Sequence, residues 1–345
     1  MVGPAEIARR GRGRVSHELA SLPILALSVH SACNCRCVMC DIWKANSERR
    51  EISISELSAH LAGIARLHVQ RVMLTGGEPL LHRNLWTLCD LLRGMGVRIT
   101  LVTTGLLIDS HAADIARLVD TVVVSLDGPA EVHDAIRRVT GGFAKIARGV
   151  TALRAEATPP RLIARCVIQR DNYAQLDQTI AAARRIGFDE ISFLAADLSS
   201  PAFNRSEPWT PARQAEIAVP ADELDRLTQA IERATHTAPA SFTSGFVVGG
   251  AASLQRIHNY YRAVSGQAPF PAVHCNAPWV SAVLEPGGAV RPCFFHPPYI
   301  GEGTLAASLN SHAAIEFRRN LDVRRDPTCQ RCVCSLNLAI TQTVV

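Results

Sequence analysis

The chain has 345 residues, 48% hydrophobic and 19% charged, a globular composition with enough residues for one large core and a smaller module. Its net charge of +5 comes from basic residues spread along the chain, with no basic block interleaved with aromatics, so no nucleic-acid partner is expected. No run of about 18 apolar residues occurs, and the basic N-terminus lacks the apolar core of a signal peptide, which predicts a cytoplasmic protein without a membrane partner.

The cysteines are the most informative residues. There are 11 of them, and most fall into one group near each end of the chain. In a cytosolic protein such groups bind metal more often than they form disulfides. The sequence therefore predicts two metal sites.

After an N-terminal extension, residues 1–21, short apolar runs alternate with helical patterns. The runs lack polar alternation, as expected for parallel strands covered by helices, and lie at 24–29, 72–74, 99–102, 121–125, 162–168 and 191–194. Helices are predicted at 57–67 behind the start signal Ser55, and at 85–93, 111–119, 143–154 and 176–186. The alternation predicts an α/β fold in which residues 22–196 form a partial (β/α)6 barrel, with its site at the carboxyl ends of the strands.

The remaining residues predict two further regions. Residues 197–270 are broken by prolines and read as a linker that also covers the barrel, with a helix over 221–235. Residues 271–345 are predicted to form a small domain with a hairpin of 279–284 and 289–294, followed by a helix over 313–320.

Cys33, Cys37 and Cys40 follow the first strand with the spacing Cys-x3-Cys-x2-Cys. Three thiolates on a short loop can hold three irons of a [4Fe–4S] cluster and leave the fourth iron open. The methionyl end of S-adenosylmethionine (SAM) can chelate that iron. Zinc is the alternative, and it would need a fourth ligand such as His30 or Cys35, at a spacing that is unusual for zinc.

This loop resembles the signature loop of the radical SAM superfamily, with Met39 at a position that is usually aromatic. The resemblance continues over residues 22–196 and assigns SAM contacts to the Gly-Gly-Glu-Pro motif and to later strand ends, namely Gly76, Gly77, Glu78, Pro79, Thr104, Ser125 and Arg137. Glycines allow close backbone approach to a ligand, and a carboxylate suits the SAM ammonium. Taken singly, each of these segments could be an ordinary turn.

Cys275, Cys293, Cys329 and Cys332 are separated by 17, 35 and 2 residues, and the stretch 303–309 between them resembles part of a SPASM domain. The short tail is similar to the truncated version called twitch, which implies that these four cysteines bind one auxiliary [4Fe–4S] cluster. Cys334 is the alternative to Cys332, and a four-thiolate zinc ribbon is the alternative site. Four thiolates leave no iron for substrate, so the cluster would transfer electrons.

The resemblance implies reductive cleavage of SAM to a 5′-deoxyadenosyl radical that takes a hydrogen atom from a substrate. The auxiliary cluster, as in twitch enzymes that oxidise aminocyclitol alcohols, favours two-electron oxidation of a small molecule in secondary metabolism. A flavodoxin- or ferredoxin-type electron donor is implied by the same resemblance. The short N-terminal extension also favours a small-molecule substrate over a peptide.

Other functions stay open. Peptide maturation is one, and epimerisation with a hydrogen atom returned from Cys166 or Cys334 is another. A non-enzymatic iron–sulfur scaffold or electron carrier is the third. Polar residues near the last two strands, Arg165, Arg170 and Asp197, are candidates for lining a pocket, with ordinary surface or core roles as the alternative.

Overall fold

One eight-stranded sheet forms the centre of the protein in this computed structural model, which describes residues 2–300 and 303–344. The strands are β1 (Ile24–His30), β2 (Arg71–Gly76), β3 (Arg98–Thr103), β4 (Thr121–Ser125), β5 (Arg161–Ile168), β6 (Glu190–Ala195), β7 (Ser281–Leu284) and β8 (Val290–Arg291). Their order is β6-β5-β4-β3-β2-β1-β7-β8, and all neighbours are parallel except β7 and β8. The predicted α/β class with a six-stranded parallel barrel wall is confirmed.

Helices cover the outer face of this sheet and fill the connections. In the described residues they are α1 (Pro4–Ser16), α2 (Ile54–Arg66), α3 (Leu85–Gly94), α4 (Ala112–Leu118), α5 (Ala130–Arg137), α6 (Gly142–Ala155), α7 (Leu176–Ile186), α8 (Pro211–Ile217), α9 (Leu224–Thr237), α10 (Pro239–Thr243), α11 (Gly250–Val264), α12 (Ala277–Val280), α13 (Leu305–Leu309), α14 (His312–Asn320) and α15 (Pro327–Gln330). None of them has the length and apolar surface needed to cross a bilayer.

The start of α2 corrects one prediction. Ser53, not Ser55, is the N-cap, because its Oγ accepts a hydrogen bond from the Glu56 amide at 3.1 Å. The Glu56 carboxylate accepts the Ser53 amide in return at 2.7 Å, which completes a capping box. The helix therefore begins earlier than its apolar periodicity alone indicated.

The two faces of the sheet differ in polarity and burial. Alternate side chains point to the helices and are fully buried there, including Leu25, Leu27, Val72, Leu74, Ile99, Leu101, Val122, Val124, Leu162 and Ala164. The intervening residues line the inner face, which is more polar towards the carboxyl ends: Ser28, Thr75, Ser125, Arg165 and Ser192 are there and are partly exposed. The wall therefore offers polar groups where the cysteine loop begins.

Residues 197–270 are largely helical. Helix α9 packs on α7, and α11 packs on β6. Tyr261 of α11 closes the ends of two strands, because its hydroxyl donates to the Ile168 carbonyl at 2.5 Å and accepts the Ala196 amide at 3.1 Å. This region packs against the β6 edge of the sheet. Its assignment as a linker that covers the barrel stays a prediction, and α11 was not predicted.

The C-terminal hairpin is continuous with the barrel wall. Ile24 of β1 pairs with Ser281 of β7, so the parallel order extends beyond the first six strands. Helix α1 holds the tail from the other side, with Arg10 donating to the Gln342 carbonyl at 2.7 Å and Arg14 to the Leu338 carbonyl at 2.9 Å. The predicted domain boundaries at 21, 196 and 270 stay predictions.

Candidate functional site

The first cysteine loop leaves β1 and is fixed by backbone contacts at each cysteine. The Asn46 side chain both accepts the Cys33 amide at 2.9 Å and donates to the Cys33 carbonyl at 2.8 Å. Trp43 Nε1 donates to the Cys40 carbonyl at 2.8 Å, and the amide of Val38 donates to α5 at the carbonyl of Ile136. The folded loop brings the thiols of Cys33 and Cys37 into hydrogen-bonding contact with Cys35.

The thiols of this loop affect one another's protonation. A hydrogen bond with Cys35, helped by the charge of Arg137, lowers the pKa of Cys37 to about 6, whereas burial raises the pKa of Cys40 to about 12. Hydrogen bonding with Cys35 also lowers the pKa of Cys33. Thiolates are the metal-binding form of cysteine, so binding would release protons, above all from Cys40.

His30 has no free ring nitrogen to act as a zinc ligand. Its Nδ1 accepts the Ala32 amide at 3.1 Å, and its Nε2 lies 3.3 Å from Glu51 Oε1. The ring is only 2% exposed and shapes the turn that leads into the cysteine loop. His30 is therefore not a candidate for the fourth zinc ligand, and Cys35 is the remaining candidate for that role.

The two glycines of the Gly-Gly-Glu-Pro motif pack directly against the same turn. The amide of Gly77 donates to the His30 carbonyl at 2.7 Å. A Cβ on Gly77 would lie 2.1 Å from the Ala32 oxygen, and one on Gly76, whose φ is 128°, would lie 2.3 Å from the His30 oxygen. Both positions need glycine because the cysteine loop occupies the space that a side chain would require.

Glu78 is fully buried and braces the neighbouring strand ends. Its oxygens accept from the Thr103 hydroxyl at 2.8 Å, from the Thr104 amide and hydroxyl at 2.7 Å each, and from the Leu80 amide at 3.0 Å. The Thr104 hydroxyl also lies 2.9 Å from Asn34 Oδ1 in the cysteine loop. Burial raises the pKa of Glu78, and these donors oppose that shift. The contact of Glu78 with the SAM ammonium stays a prediction, since both oxygens are engaged by the protein here.

Asp127, at the end of β4, connects α5 to the cysteine loop. Its Oδ2 accepts Arg137 Nε at 2.6 Å, and its backbone amide donates to His133 Nδ1 at 3.1 Å. Arg137 Nη1 in turn lies 3.5 Å from Cys37 Sγ. Although burial works against the charge, Asp127 and Cys37 raise the pKa of Arg137, which stays cationic. The guanidinium therefore sits between a carboxylate and a candidate ligand thiol, a contact that the sequence did not predict.

The remaining candidates on the last strands divide between the two faces of the sheet. Ser125 pairs in register with Arg165, and both lie on the inner face, where Arg165 Nε is 3.3 Å from Ser192 Oγ. Cys166 lies on the opposite face, is 1% exposed and accepts Asn172 Nδ2 at 3.6 Å. Its burial on that face gives no support to the candidate role of Cys166 as a hydrogen donor to substrate, which stays a prediction.

Asp197 and Arg170 differ in their surroundings. Asp197 forms a buried ion pair with Arg205 and accepts the Ser200 hydroxyl at 2.5 Å. The exposed residue Arg170 is tied through its backbone to the Ile217 carbonyl at 2.9 Å. Of the three polar residues considered near these strands, Arg165 is the one on the inner face.

The tail cysteines form a second group of thiols, close enough to perturb one another's protonation. A nitrogen lies at hydrogen-bond distance from the sulfur of each of the four predicted ligands. Cys275 accepts the Ala277 amide at 3.5 Å, Cys293 the amides of Phe295 and His296, and Cys332 the Cys334 amide at 3.4 Å, while His296 Nε2 lies 3.5 Å from Cys329 Sγ. Donors around every sulfur suit thiolates, and such bonds tune iron–sulfur clusters. The donor set therefore fits a four-thiolate cluster.

Cys334 differs from these four. It is exposed to solvent, whereas the other four are half-buried. Desolvation raises the pKa of Cys334, and the guanidinium of Arg165 opposes this shift. Its backbone amide donates to Cys332 Sγ at 3.4 Å. This arrangement favours Cys332 over Cys334 as the ligand.

Residues 199–217, which we call the cover segment, contact both cysteine groups. Trp209 Nε1 donates to Asp41 Oδ2 at 2.7 Å, next to Cys40, and its ring lies 4.5 Å and 5.0 Å from the guanidinium carbons of Arg205 and Arg213. At the other end, Phe203 contacts Phe295, close to Cys293, with ring centroids 6.3 Å apart. The two groups of thiols are thus bridged by one segment.

Several residues of this site were absent from the sequence prediction. Asp127, Asn172, Asn46, Trp209 and His296 act through partners far away in the chain. The one local signal was Asp127 itself, a carboxylate at a strand end ten residues before Arg137. The others carry no spacing that distinguishes them from ordinary polar residues.

Comparison with known families agrees with this geometry. The radical SAM superfamily model matches residues 27–192, and the model of the iron–sulfur cluster-binding domain SPASM matches residues 275–333. Together these matches include all seven predicted ligand cysteines.

Similar proteins include mycofactocin maturase MftC of Mycobacterium ulcerans, 32% identical over 176 residues, covering 50% of this chain and 47% of that protein. A probable GTP 3′,8-cyclase of Methanopyrus kandleri is 32% identical over 151 residues, covering 43% and 48%. An AdoMet-dependent heme synthase of Methanosarcina barkeri is 26% identical over 168 residues, covering 48% of each. The chain spans about half the length of these relatives.

Two solved structures share the fold over most of the chain. Streptococcus suis SuiB bound to SAM has a TM-score of 0.62 at 13% identity, covering 95% of this chain and 76% of that one. AnSMEcpe bound to AdoMet and a peptide has a TM-score of 0.60 at 17% identity, covering 90% and 88%. The two family matches and the arrangement of the thiols lead to one conclusion: residues 27–192 form a radical SAM domain and residues 275–333 a SPASM iron–sulfur domain, with SAM and [4Fe–4S] clusters as the cofactors.

Proposed function

We propose that this radical SAM enzyme carries out a two-electron oxidation of a small organic molecule in secondary metabolism. The observation that carries the proposal is that one segment links the two cysteine regions: Trp209 donates to Asp41, next to Cys40, and Phe203 packs on Phe295, near Cys293. The tail cluster would therefore lie near a substrate in the barrel. With both groups bound, SAM supplies a hydrogen-abstracting 5′-deoxyadenosyl radical and the auxiliary cluster supplies an electron acceptor.

Different residues would bind the two clusters and SAM. Cys33, Cys37 and Cys40 hold the first cluster, and Cys275, Cys293, Cys329 and Cys332 hold the second. Gly76, Gly77, Pro79 and Glu78 position the loop against SAM, with Met39, Thr104 and Ser125 on its flanks. Arg137 stabilises the Cys37 thiolate through its N–H groups and is kept charged by Asp127.

Substrate size is argued from the cover segment. Trp209 and Phe203 connect it to residues next to both cysteine groups. A segment fixed in this way between the two clusters would leave room for a small substrate. The thiolate ligands suit a reducing cytoplasm, and a flavodoxin- or ferredoxin-type protein would deliver the electron.

Peptide modification is the second candidate, and the comparisons favour it. MftC is a maturase by name, and SuiB and anSMEcpe have been solved with bound peptides. Epimerisation through Cys334 is a weaker candidate. The return of a hydrogen atom to the substrate does not need a neighbouring four-thiolate cluster, so this reaction would leave the auxiliary cluster without a role.

The test combines metal analysis with substrate screening on anaerobically reconstituted protein. About eight irons are expected in the wild type and about four in C33A/C37A/C40A, which should also lose SAM cleavage. Aminocyclitol alcohols and synthetic peptides would be compared as substrates. Oxidation of an alcohol that stops in C329A/C332A, with SAM cleavage retained, would support the proposal. Turnover of peptides alone would overturn it in favour of the second candidate.

A further inference from the structure

His296 contacts two of the tail cysteines through different atoms. Its backbone amide donates to Cys293 Sγ, and its ring Nε2 lies 3.5 Å from Cys329 Sγ. These cysteines are 36 positions apart in the chain, one after the hairpin and one in the Cys-x2-Cys pair. One residue therefore connects the two halves of the thiol group.

The ring of His296 is held in this orientation. It is 7% exposed and packs edge-on against Phe317, with ring centroids 5.1 Å apart. Asp326 Oδ1 is 3.6 Å from Nε2, which is beyond hydrogen-bond distance, and it already accepts the Cys329 amide at 2.8 Å. The sulfur is therefore the partner of Nε2.

A metal-bound thiolate carries no proton, so this contact is attractive only if Nε2 carries one and donates it to sulfur. The other N–H donors to the four sulfurs in the described residues are backbone amides, from Phe295, Ala277, Cys334 and His296 itself. The imidazole of His296 is thus a side-chain donor to these sulfurs, and a substitution can remove it, which is not possible for the backbone amides.

We infer that His296 is a positioning residue of the auxiliary cluster: its ring donates a hydrogen bond to the Cys329 thiolate and thereby raises the cluster's reduction potential. A donor at sulfur stabilises the reduced, more negative cluster more than the oxidised one. The residue thus helps the cluster to accept an electron from substrate. This inference rests on the proposed auxiliary cluster.

The experiment uses full-length C33A/C37A/C40A protein, in which only the tail can hold a cluster. Into this parent we would introduce H296F, which keeps a ring against Phe317 without the donor, and H296Q, which keeps an N–H donor. H312F is the matched control, because His312 has a side chain 92% exposed on α14. The readouts are iron content and the midpoint potential from a titration followed by electron paramagnetic resonance.

A lower midpoint potential in H296F at unchanged iron content, with H296Q between it and the parent and H312F equal to the parent, is the expected result. A loaded H296F protein whose potential equals that of the parent would overturn the inference and leave the auxiliary cluster standing. Loss of iron in both His296 variants would also overturn it, because the N–H donor that H296Q keeps should be enough to retain the cluster. A parent without iron would remove the proposed cluster itself.

Discussion

At the scale of single residues, a substitution of Glu78 tests whether its hydrogen bonds stabilise the strand ends at the predicted SAM site. Its carboxylate accepts four hydrogen bonds, and two of the donors are the backbone amides of Leu80 and Thr104, which cannot turn away. In Glu78→Gln the side-chain NH2 must face one of these amides, so a buried donor loses its partner. We expect the free energy of unfolding to fall by about 1–3 kcal/mol, measured by anaerobic urea denaturation.

Glu131→Gln is the matched control, because Glu131 is exposed on α5. It should change stability by no more than about 0.5 kcal/mol. Equal stability of both variants would mean that the bracing hydrogen bonds around Glu78 contribute nothing net.

His133 gives a pH dependence with a definite sign. Burial lowers the pKa of His133 to about 4 from an ordinary 6.5, and its Nδ1 accepts the Asp127 amide, which requires the neutral ring. Between these two values the unfolded chain binds a proton that the folded chain does not. Stability from His133 is therefore complete above pH 6.5 and is lost as the pH falls towards 4.

The measurement is the unfolding midpoint of metal-free protein between pH 7.5 and 5, compared with His133→Gln. The variant keeps an acceptor for the Asp127 amide and does not titrate, so its midpoint should fall less steeply with decreasing pH. Parallel curves would show that other groups cause the acid sensitivity.

At the scale of elements, the packing of the β2 end against the cysteine loop makes a sharper prediction. In Gly77→Ala the added Cβ would meet the Ala32 oxygen at 2.1 Å, a backbone atom that cannot give way without moving the loop. We expect reconstituted Gly77→Ala to lose iron from the first cluster while the tail keeps its own. Gly94→Ala at the end of α3, with no atom within 4 Å of its added Cβ, should keep about eight irons. Full iron in both would show that the loop adapts.

The elements also show what the sequence could and could not predict. Strands such as β4 and helix α7 were predicted at their observed bounds, because local apolar patterns determine them. Helix α1 was missed because it is rich in arginine and gains its contacts, such as Arg10 to Gln342, from the far end of the chain. Helix α11 starts at Gly250 and carries its tyrosines inward to β5 and β6, and neither feature signals a helix locally.

The same limit applies to the site. Spacing alone identified Cys33, Cys37 and Cys40, because the signature is local. The contact from Arg137 to Cys37 depends on how α5 returns to the loop, so the family resemblance suggested only a contact between Arg137 and SAM. The face of the sheet on which Cys166 lies depends on the strand register, which the sequence does not determine. The difference between Cys332 and Cys334 depends on the hydrogen bond from the Cys334 amide to Cys332 Sγ, which the sequence does not show either.

At the scale of the whole molecule, the cover segment links the two cysteine groups, and Trp209 is its anchor. The indole donates to Asp41, and its ring contacts the guanidinium groups of Arg205 and Arg213. A hydrogen bond to a carboxylate and a buried cation–π contact each contribute about 2 kcal/mol. Trp209→Ala should therefore raise amide hydrogen exchange in the cover segment by about a hundredfold to a thousandfold.

Trp209→Phe separates the two contributions, because it keeps a ring between the arginines and removes only the donor to Asp41. Its exchange should lie between those of the wild type and Trp209→Ala. Trp86→Phe, on α3 and away from the cover segment, should leave that exchange unchanged. If the segment spans the substrate space, Trp209→Ala should also admit water, so that SAM cleavage continues while the yield of oxidised product per 5′-deoxyadenosine falls. Unchanged exchange in Trp209→Ala would mean that Phe203 and the Asp197–Arg205 pair hold the segment without it.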